Sequence, residues 1–509
     1  MGADYPGALV PGVNRTATLI VVGCCLLAGL GQARGGWADG EAAFMRGDYK
    51  KALHDWRPLA EQGDSGAQYN VGLMFFKGLG AAQDNEAATR WFRQAAAQGD
   101  ARACYALGYL YQHGDGLHRD APQAVQWFTQ AADQGLAEAQ FNLGLMYREG
   151  SNGLPQDNFL AAEWFRRAAE QGLAEAQLGL GYLFDTGQGV PQDHAEAIRW
   201  YRAAAGQGNN RARLNLGLIY KSAKDYTQAV RWLTLAAEQG FPKAQFNLAL
   251  MYDEGLGVPR DPLAALKWYR TAAGQGFVAA QNSLGMMYLA GKGAPRDPAE
   301  AVKWLTLAAE QGAAGAQAIL GKLYKDGVGV QQDYAMALSW LGKAAEQGNA
   351  DGQFSLGVMY KKGIGVSPDD TQAANWYRLA AEQGNARAQN NLGYMYATGN
   401  GVPQDYVLAH MWYNQAGANG IELGIENRDR LAEGMTAAQV AEAQRLAREW
   451  AERQLHTAEL ALSPVERPAA IAWIESITDA APPAAGIDHV VRRKTRPYGP
   501  RHHGVSRRR

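Results

Sequence analysis

Ten aspartates recur along the chain, one per repeating unit: Asp84, Asp120, Asp157, Asp193, Asp225, Asp261, Asp297, Asp333, Asp369 and Asp405. A row of carboxylates invites reading as a calcium ladder. Glycine pairs such as Gly187-Gln188-Gly189 and Gly399-Asn400-Gly401 have the outline of a phosphate-cradling loop. Histidines, among them His54, His113, His118, His194, His410 and His502-His503, are zinc candidates. Each reading fails on context. Aspartates on successive helix layers lie about 10 Å apart, too far for two to hold one ion. No third glycine follows the pairs and no strand pattern precedes them, so they read as turns. The histidines fall in different units, whereas zinc needs three or four converging ligands. H-E-x-x-H, S-x-x-K, G-x-S-x-G and G-x-x-x-x-G-K-[ST] are all missing from the sequence. The expectation is a protein with no catalytic residue, no metal and no cofactor.

The spacing itself is the stronger signal. Trp91, Trp127, Trp164, Trp200, Trp232, Trp268, Trp304, Trp340, Trp376 and Trp412 are 36 residues apart in all but two steps. A period of 20 to 50 residues marks a stacked array whose units bury surface only against their neighbours. In the sixth unit Ala244, Leu248, Met251 and Tyr252 fall at i, i+4, i+7 and i+8, one stripe of an α-helix, helix A. Gly255 and Gly257 end it, because glycine enters positive φ cheaply. Asp261, seven residues before Trp268, is placed to cap the next helix, helix B, as its counterpart is in every unit. Ala265, Trp268, Ala272 and Gly276 then follow at helical spacing. The small residues predict close approach of helix B to its neighbours, with the indole filling the gap between layers.

The unit A-x-x-x-L-G-x-x-Y, G-x-G-V-x-x-D, A-x-x-W-[YFL]-x-x-A-A-x-x-G resembles the Sel-one-like repeat family, a subclass of tetratricopeptide-type solenoids, in its bacterial exported form. The resemblance spans residues 67–420 and fits almost position for position at 139–172 and 388–420. The fifth unit departs, since Tyr220 to Asp225 lacks the G-x-G loop, and the sixth carries Ala249 where the others have glycine. It implies an all-α superhelical solenoid of about ten 36-residue helix-turn-helix repeats with terminal caps. It also implies a protein-binding scaffold rather than an enzyme. The competing readings are an envelope hydrolase acting on cell-wall or β-lactam substrates, which some relatives are labelled, and a structural component held by its tail.

Residues 39–66 read as an opening helix pair, with Trp56 near the register of the recurring tryptophans, and 421–462 as closing helices, where Thr436-Ala437-Ala438-Gln439 forms a capping box. Arg15 followed by the apolar run 17–30 and the small-x-small site Gly36-Trp37-Ala38 predicts a secretory signal peptide over 1–38 and a periplasmic or secreted mature chain. Val21-Val22-Gly23-Cys24 looks like a lipobox, but the apolar run continues past Cys24, which disfavours lipidation. Cys24 and Cys25 lie inside the signal, so only Cys104 remains. The array must be held by packing without disulfides.

The net charge of −1 hides an asymmetry. Residues 489–509 carry Arg492, Arg493, Lys494, Arg496, Arg501, Arg507, Arg508 and Arg509 with no acid, which leaves residues 39–488 at about −10. A Pro/Ala-rich linker, 463–488, joins this tail to the solenoid. An anionic envelope surface is the partner class its charge suggests. Nucleic acid is disfavoured, because Tyr498 is the lone aromatic among the charges.

A binding face is predicted on helix A. Two residues before its glycine stand Asn70, Asn142, Asn215, Asn247 and Asn391, and three before stand Tyr69, Tyr105, Phe141, Phe246 and Phe354. Just after it come Leu73, Tyr109, Tyr182 and Tyr394. By resemblance these line the concave groove of a tetratricopeptide-type solenoid. Asparagine offers an acceptor and two donors to a peptide backbone, and the aromatics offer rigid contact area. The alternative is that these side chains serve neighbouring repeats internally.

Overall fold

The computed structural model describes residues 36–150 and 153–461. The chain is all-α, and its helices alternate A and B through ten repeats, from Ser65–Lys77 and Asn85–Ala97 in the first to Ala386–Thr398 and Tyr406–Ala418 in the last. The opening pair is Trp37–Met45 and Tyr49–Glu61, and the closing helices are Glu422–Ala432 and Ala437–Ala461. Helix A of the first repeat thus begins at Ser65, two residues ahead of the expected boundary, and the last helix runs well past Arg448.

Local chemistry sets each element. All ten aspartates cap helix B through the side chain, for example Asp84 Oδ1 accepting from the Ala87 N–H at 2.8 Å and Asp405 Oδ1 from Leu408 N–H at 2.9 Å. The first glycine of each G-x-G loop closes helix A in the left-handed region, as at Gly255 with φ 73. In the fifth repeat, which lacks that loop, Lys224 takes φ 61 instead. The second glycine lies against the first turn of the preceding repeat's helix B: a Cβ on Gly189 would sit 2.2 Å from the Asn158 carbonyl carbon. Thr436 and Gln439 form the expected capping box, Gln439 N–H donating to Thr436 Oγ1 at 3.3 Å and Thr436 N–H to Gln439 Oε1 at 2.9 Å.

The recurring indoles pack between repeats, Trp268 for example against the clusters on both sides of it. The residue that fills the space inside each repeat is not the recurring tryptophan but the one after it: Phe92, Phe128, Phe165, Tyr201, Leu233, Tyr269, Leu305, Leu341, Tyr377 and Tyr413, all buried. Each faces the glycine of its own helix A; a Cβ on Gly144 would lie 2.5 Å from Phe165 Cδ1, and one on Gly321 would lie 2.6 Å from Leu341 Cγ. Glycine here is a socket for a large side chain, and Ala249 opposite Tyr269 shows that one methyl group can be accommodated. Most of the tryptophans are half-buried, roofed in several cases by a cation, such as the Arg167 guanidinium 4.5 Å from the Trp164 ring centre and Lys343 Nζ 4.2 Å from that of Trp340.

The opening pair is a shortened repeat built on the same plan. Gly40 faces the Trp56 ring as Gly72 faces Phe92. Trp56 therefore occupies the socket-filling position, one residue on from the tryptophan register. Trp37 packs on it with ring centres 6.1 Å apart, and the Trp37 carbonyl accepts from Trp56 Nε1 at 3.3 Å. The expected cleavage site Gly36-Trp37-Ala38 opens this helix, so a cut after Ala38 would remove part of the cap. The remainder of the expected signal, with Cys24 and Cys25, lies outside the described residues, as do the linker and basic tail.

At the other end the helix Ala437–Ala461 covers the last repeat, with Trp450 edge-on to Trp412 at 5.9 Å and the Ala447 carbonyl accepting from Gln415 Nε2 at 2.8 Å. His410 of the last helix B is buried, its Nδ1 without a partner among the described residues. Burial holds this imidazole below its ordinary pKa, helped by Arg428 and opposed by Asp429. The folded state therefore favours neutral His410. Its contribution to stability is present above about pH 6.5 and is lost as pH falls from there toward the depressed folded value. Thermal unfolding near pH 5.5 is expected to loosen residues 406–461 first, and His410→Phe is expected to flatten that pH dependence.

Candidate functional site

Where helices of one kind from successive repeats come close, they are A helices, as Asn210–Ser222 with Pro242–Glu254 and Ala314–Asp326 with Ala350–Lys362 show, and the A side is here termed the inner face. The surface it presents is set by the helical period: positions three and two before the glycine, one after it, and one turn to either side share a face. The column just after the glycine reads Leu73, Tyr109, Leu145, Tyr182, Leu218, Leu250, Met286, Lys322, Val358 and Tyr394. Leu73 and Tyr109 are buried, the middle members are half-buried, and Met286 and Tyr394 are exposed. The inner face is thus a largely apolar strip, interrupted by Lys322, that opens toward the C-terminal repeats.

The predicted residues divide between this strip and the interior. Tyr69 and Tyr105 have no exposed area and pack against Phe92 and Phe128 with ring centres 5.8 and 5.5 Å apart. They belong to the repeat interior, not to a surface, because the third position before the glycine leans toward helix B. Phe141, Phe246 and Phe354 make the same contact with Phe165, Tyr269 and Tyr377 at 5.6, 5.7 and 6.0 Å but keep a partly exposed edge. Tyr109 stacks on His113 at 4.0 Å and meets Phe76 edge-on at 6.1 Å.

Several asparagines serve the fold. Asn142 Nδ2 donates to the Tyr105 hydroxyl of the preceding repeat at 3.0 Å. Asn391 hydrogen-bonds the Tyr377 hydroxyl, whose pKa burial pushes up to about 12. Asn247 is buried, donating to the Lys243 carbonyl at 2.9 Å and accepting from Lys221 Nζ at 3.1 Å. Asn70 is buried with its Nδ2 unpartnered among the described residues, and so is the Tyr69 hydroxyl, because the second repeat has Ala106 where Asn142 stands in the third. Asn215, Tyr182 and Tyr394 remain at least partly exposed on the strip. Burial raises the Tyr69 and Tyr105 pKa values, which keeps both phenols neutral.

A second polar system on helix A was not among the sequence candidates. In eight of the ten repeats a buried glutamine, four residues before the glycine, donates to the end of the preceding helix B and accepts from the glutamine or asparagine that ends its own. Gln245 Nε2 reaches the Ala237 carbonyl at 3.0 Å while Gln275 Nε2 donates to Gln245 Oε1 at 2.8 Å. Gln317 repeats this with the Ala309 carbonyl and Gln347 at 3.0 and 2.7 Å. Its sequence signal is a glutamine just before each unit's closing glycine, paired with one 30 residues earlier. The rung is interrupted twice, by Cys104 and Arg213. Cys104 is buried, and burial raises its thiol to about 11, which makes it inert. Cys104→Gln is expected to supply the missing rung to Gln134 and raise stability by about 1 kcal/mol, read from the urea midpoint.

Among the described residues no three His, Cys, Asp or Glu side chains converge to hold a metal ion, and no helix is long and apolar enough to cross a membrane.

The Sel1 repeat model matches ten consecutive segments, 65–100, 101–136, 137–173, 174–209, 211–241, 242–277, 278–312, 314–349, 350–385 and 386–421. Among solved structures, the chain is similar to a protective antigen present in uropathogenic Escherichia coli strains displaying an SLR fold, with 34% identity, a TM-score of 0.75, and cover of 94% of this chain and 100% of that one. A Sel1 repeat protein from Oxalobacter formigenes matches at 33% identity over 46% of this chain and 99% of its own, with a TM-score of 0.42. No curated protein matches the chain. Ten consecutive units, each with its aspartate cap and paired helices and all but the sixth with a glycine socket, place the chain in the Sel1 repeat family.

Proposed function

We propose that the chain is a non-enzymatic scaffold of the bacterial cell envelope that grips a peptide segment or partner protein along the inner face of its A helices. Solenoids of this kind are typically protein-interaction scaffolds. The observation that carries the reading is the row of partly exposed apolar side chains, Leu145, Tyr182, Leu218, Leu250, Met286, Val358 and Tyr394, bordered by asparagine and serine. Rigid apolar contact area flanked by amide donors suits an extended chain, whose affinity comes from a few such anchors. Phe141, Phe246 and Phe354 add their exposed edges.

The interior roles of Asn142 and Asn391 direct the test elsewhere. Peptides selected by display against the full chain are expected to bind Tyr182→Ala/Asn215→Ala/Tyr394→Ala about tenfold more weakly or worse, with the melting temperature unchanged. Unaltered peptide binding would remove the groove reading, and a matching fall in melting temperature would assign these residues to the fold.

The apolar run after Arg15 supports export to the periplasm or beyond, with cleavage on the N-terminal side of Trp37, which keeps the opening cap whole. The basic tail has the charge to engage an anionic envelope surface. Fractionation and the mass of the mature chain test location and cut together.

A further inference from the structure

The outer layer has an unpartnered edge. Helix B ends on an acidic residue in most repeats, and from the fifth repeat onward these are Glu238, Glu310, Glu346 and Glu382, all exposed. A carboxylate at a helix C-terminus faces the negative end of the macrodipole, so the position is unfavourable for it. No ion pair engages these four among the described residues. One turn earlier on three of these helices stand Leu235, Leu307 and Leu379, exposed at 36, 44 and 43%, and on the fourth the exposed Lys343 stands before Glu346. In every second repeat, then, an exposed leucine and a carboxylate share one face at the end of helix B.

The closing helix delivers the chain to this edge. It leaves the last repeat at Trp450 and by Gln454 has reached the end of helix B of the ninth, where Gln454 Nε2 donates to the Glu382 carbonyl at 3.1 Å. The described chain ends at Ala461, about 30 residues before Val490-Val491-Arg492-Arg493-Lys494. A chain of about 30 residues with random-coil dimensions has a root-mean-square span of roughly 30 Å, or about three repeats at 10 Å each. That covers Glu382, Glu346 and Glu310.

We propose that the basic C-terminal segment, residues 489–509, docks on this outer edge of its own solenoid, its arginines and Lys494 against the helix-end glutamates and its valines against the exposed leucines. Tethering supplies an effective concentration near the millimolar range, enough for individually weak surface pairs. The occupant follows from charge complementarity and from where the described chain ends. The edge lies on the layer opposite the proposed groove, so tail and peptide occupy separate faces.

Zero-length carbodiimide coupling on the full chain tests this, using equal parts of isotope-labelled and unlabelled protein. The expected product is an amide between Lys494 and Glu310, Glu346 or Glu382 within one chain, reduced about tenfold in about 0.5 M salt. Glu310→Gln/Glu346→Gln/Glu382→Gln removes three carboxylates without loss of helix, and it is expected to bind vesicles of phosphatidylglycerol and phosphatidylcholine more tightly than the parent, because its tail is released. Coupling of Lys494 spread evenly over the acidic surface, or products joining labelled to unlabelled chains, would overturn the proposal. So would equal vesicle binding by parent and variant, which would make lipid the tail's surface.

Discussion

Gly189→Ala lowers the stability of the array by about 3 kcal/mol. Two costs combine at this residue. Its φ of 72 is a region that L side chains enter only at a cost of about 1–2 kcal/mol. The added methyl would also lie 2.2 Å from the Asn158 carbonyl carbon and oxygen, which belong to the backbone of the preceding repeat's helix B and cannot rotate aside. Gly208→Ala separates the terms, because φ there is 88 but nothing lies within 4 Å of the new methyl; its expected loss is about 1 kcal/mol. Since the Gly189 contact joins the third and fourth repeats, urea unfolding of Gly189→Ala should split into two transitions, as nearest-neighbour coupling in a solenoid requires. Equal effects of the two substitutions would show that the loop does not couple repeats.

Gln245→Leu is expected to cost about 2 kcal/mol. The two side chains are close in volume, so the packing loss is small and the effect isolates the polar rung. Gln245 is 2% exposed and holds two partners, the Ala237 carbonyl of the fifth repeat and the Gln275 amide of its own. Leucine would leave both facing an apolar group, and an unmade buried hydrogen bond costs more than a made one contributes. The preceding rung is already lost at Arg213, whose Nε is buried without a partner among the described residues. The variant would thus break two consecutive rungs, and hydrogen exchange should show early opening of residues 210–254. A urea midpoint indistinguishable from that of the parent would reduce the ladder to a by-product of helix packing.

Neither effect was visible in the residues that first suggest chemistry. The aspartates, which look like metal ligands, are helix caps, and the glycine pairs, which look like a phosphate loop, are contact points between repeats. Tyr69 and Tyr105, predicted to face a partner, are interior, while Tyr182 and Tyr394 keep exposed surface on the same helices. One residue separates Trp91 from Phe92, yet that step is about 100° around the helix, and it decides which ring fills the glycine socket. When both neighbours are aromatic, spacing alone does not say which one points inward.

By itself the sequence determined the parts that depend on near neighbours: repeat length, the two helices of each unit, their aspartate and glycine ends and the capping box at Thr436. Each of these is written within a few residues, where backbone geometry and local hydrogen bonding are the governing forces. Tertiary structure decided the rest. The glutamine ladder joins residues 8 and 30 positions apart, Asn142 meets Tyr105 of the adjacent repeat, and the closing helix returns to Glu382 from 72 residues away. Which polar side chain is a tie and which is a contact surface depends on how one layer rests on the next, and that is a property of packing that no single repeat contains.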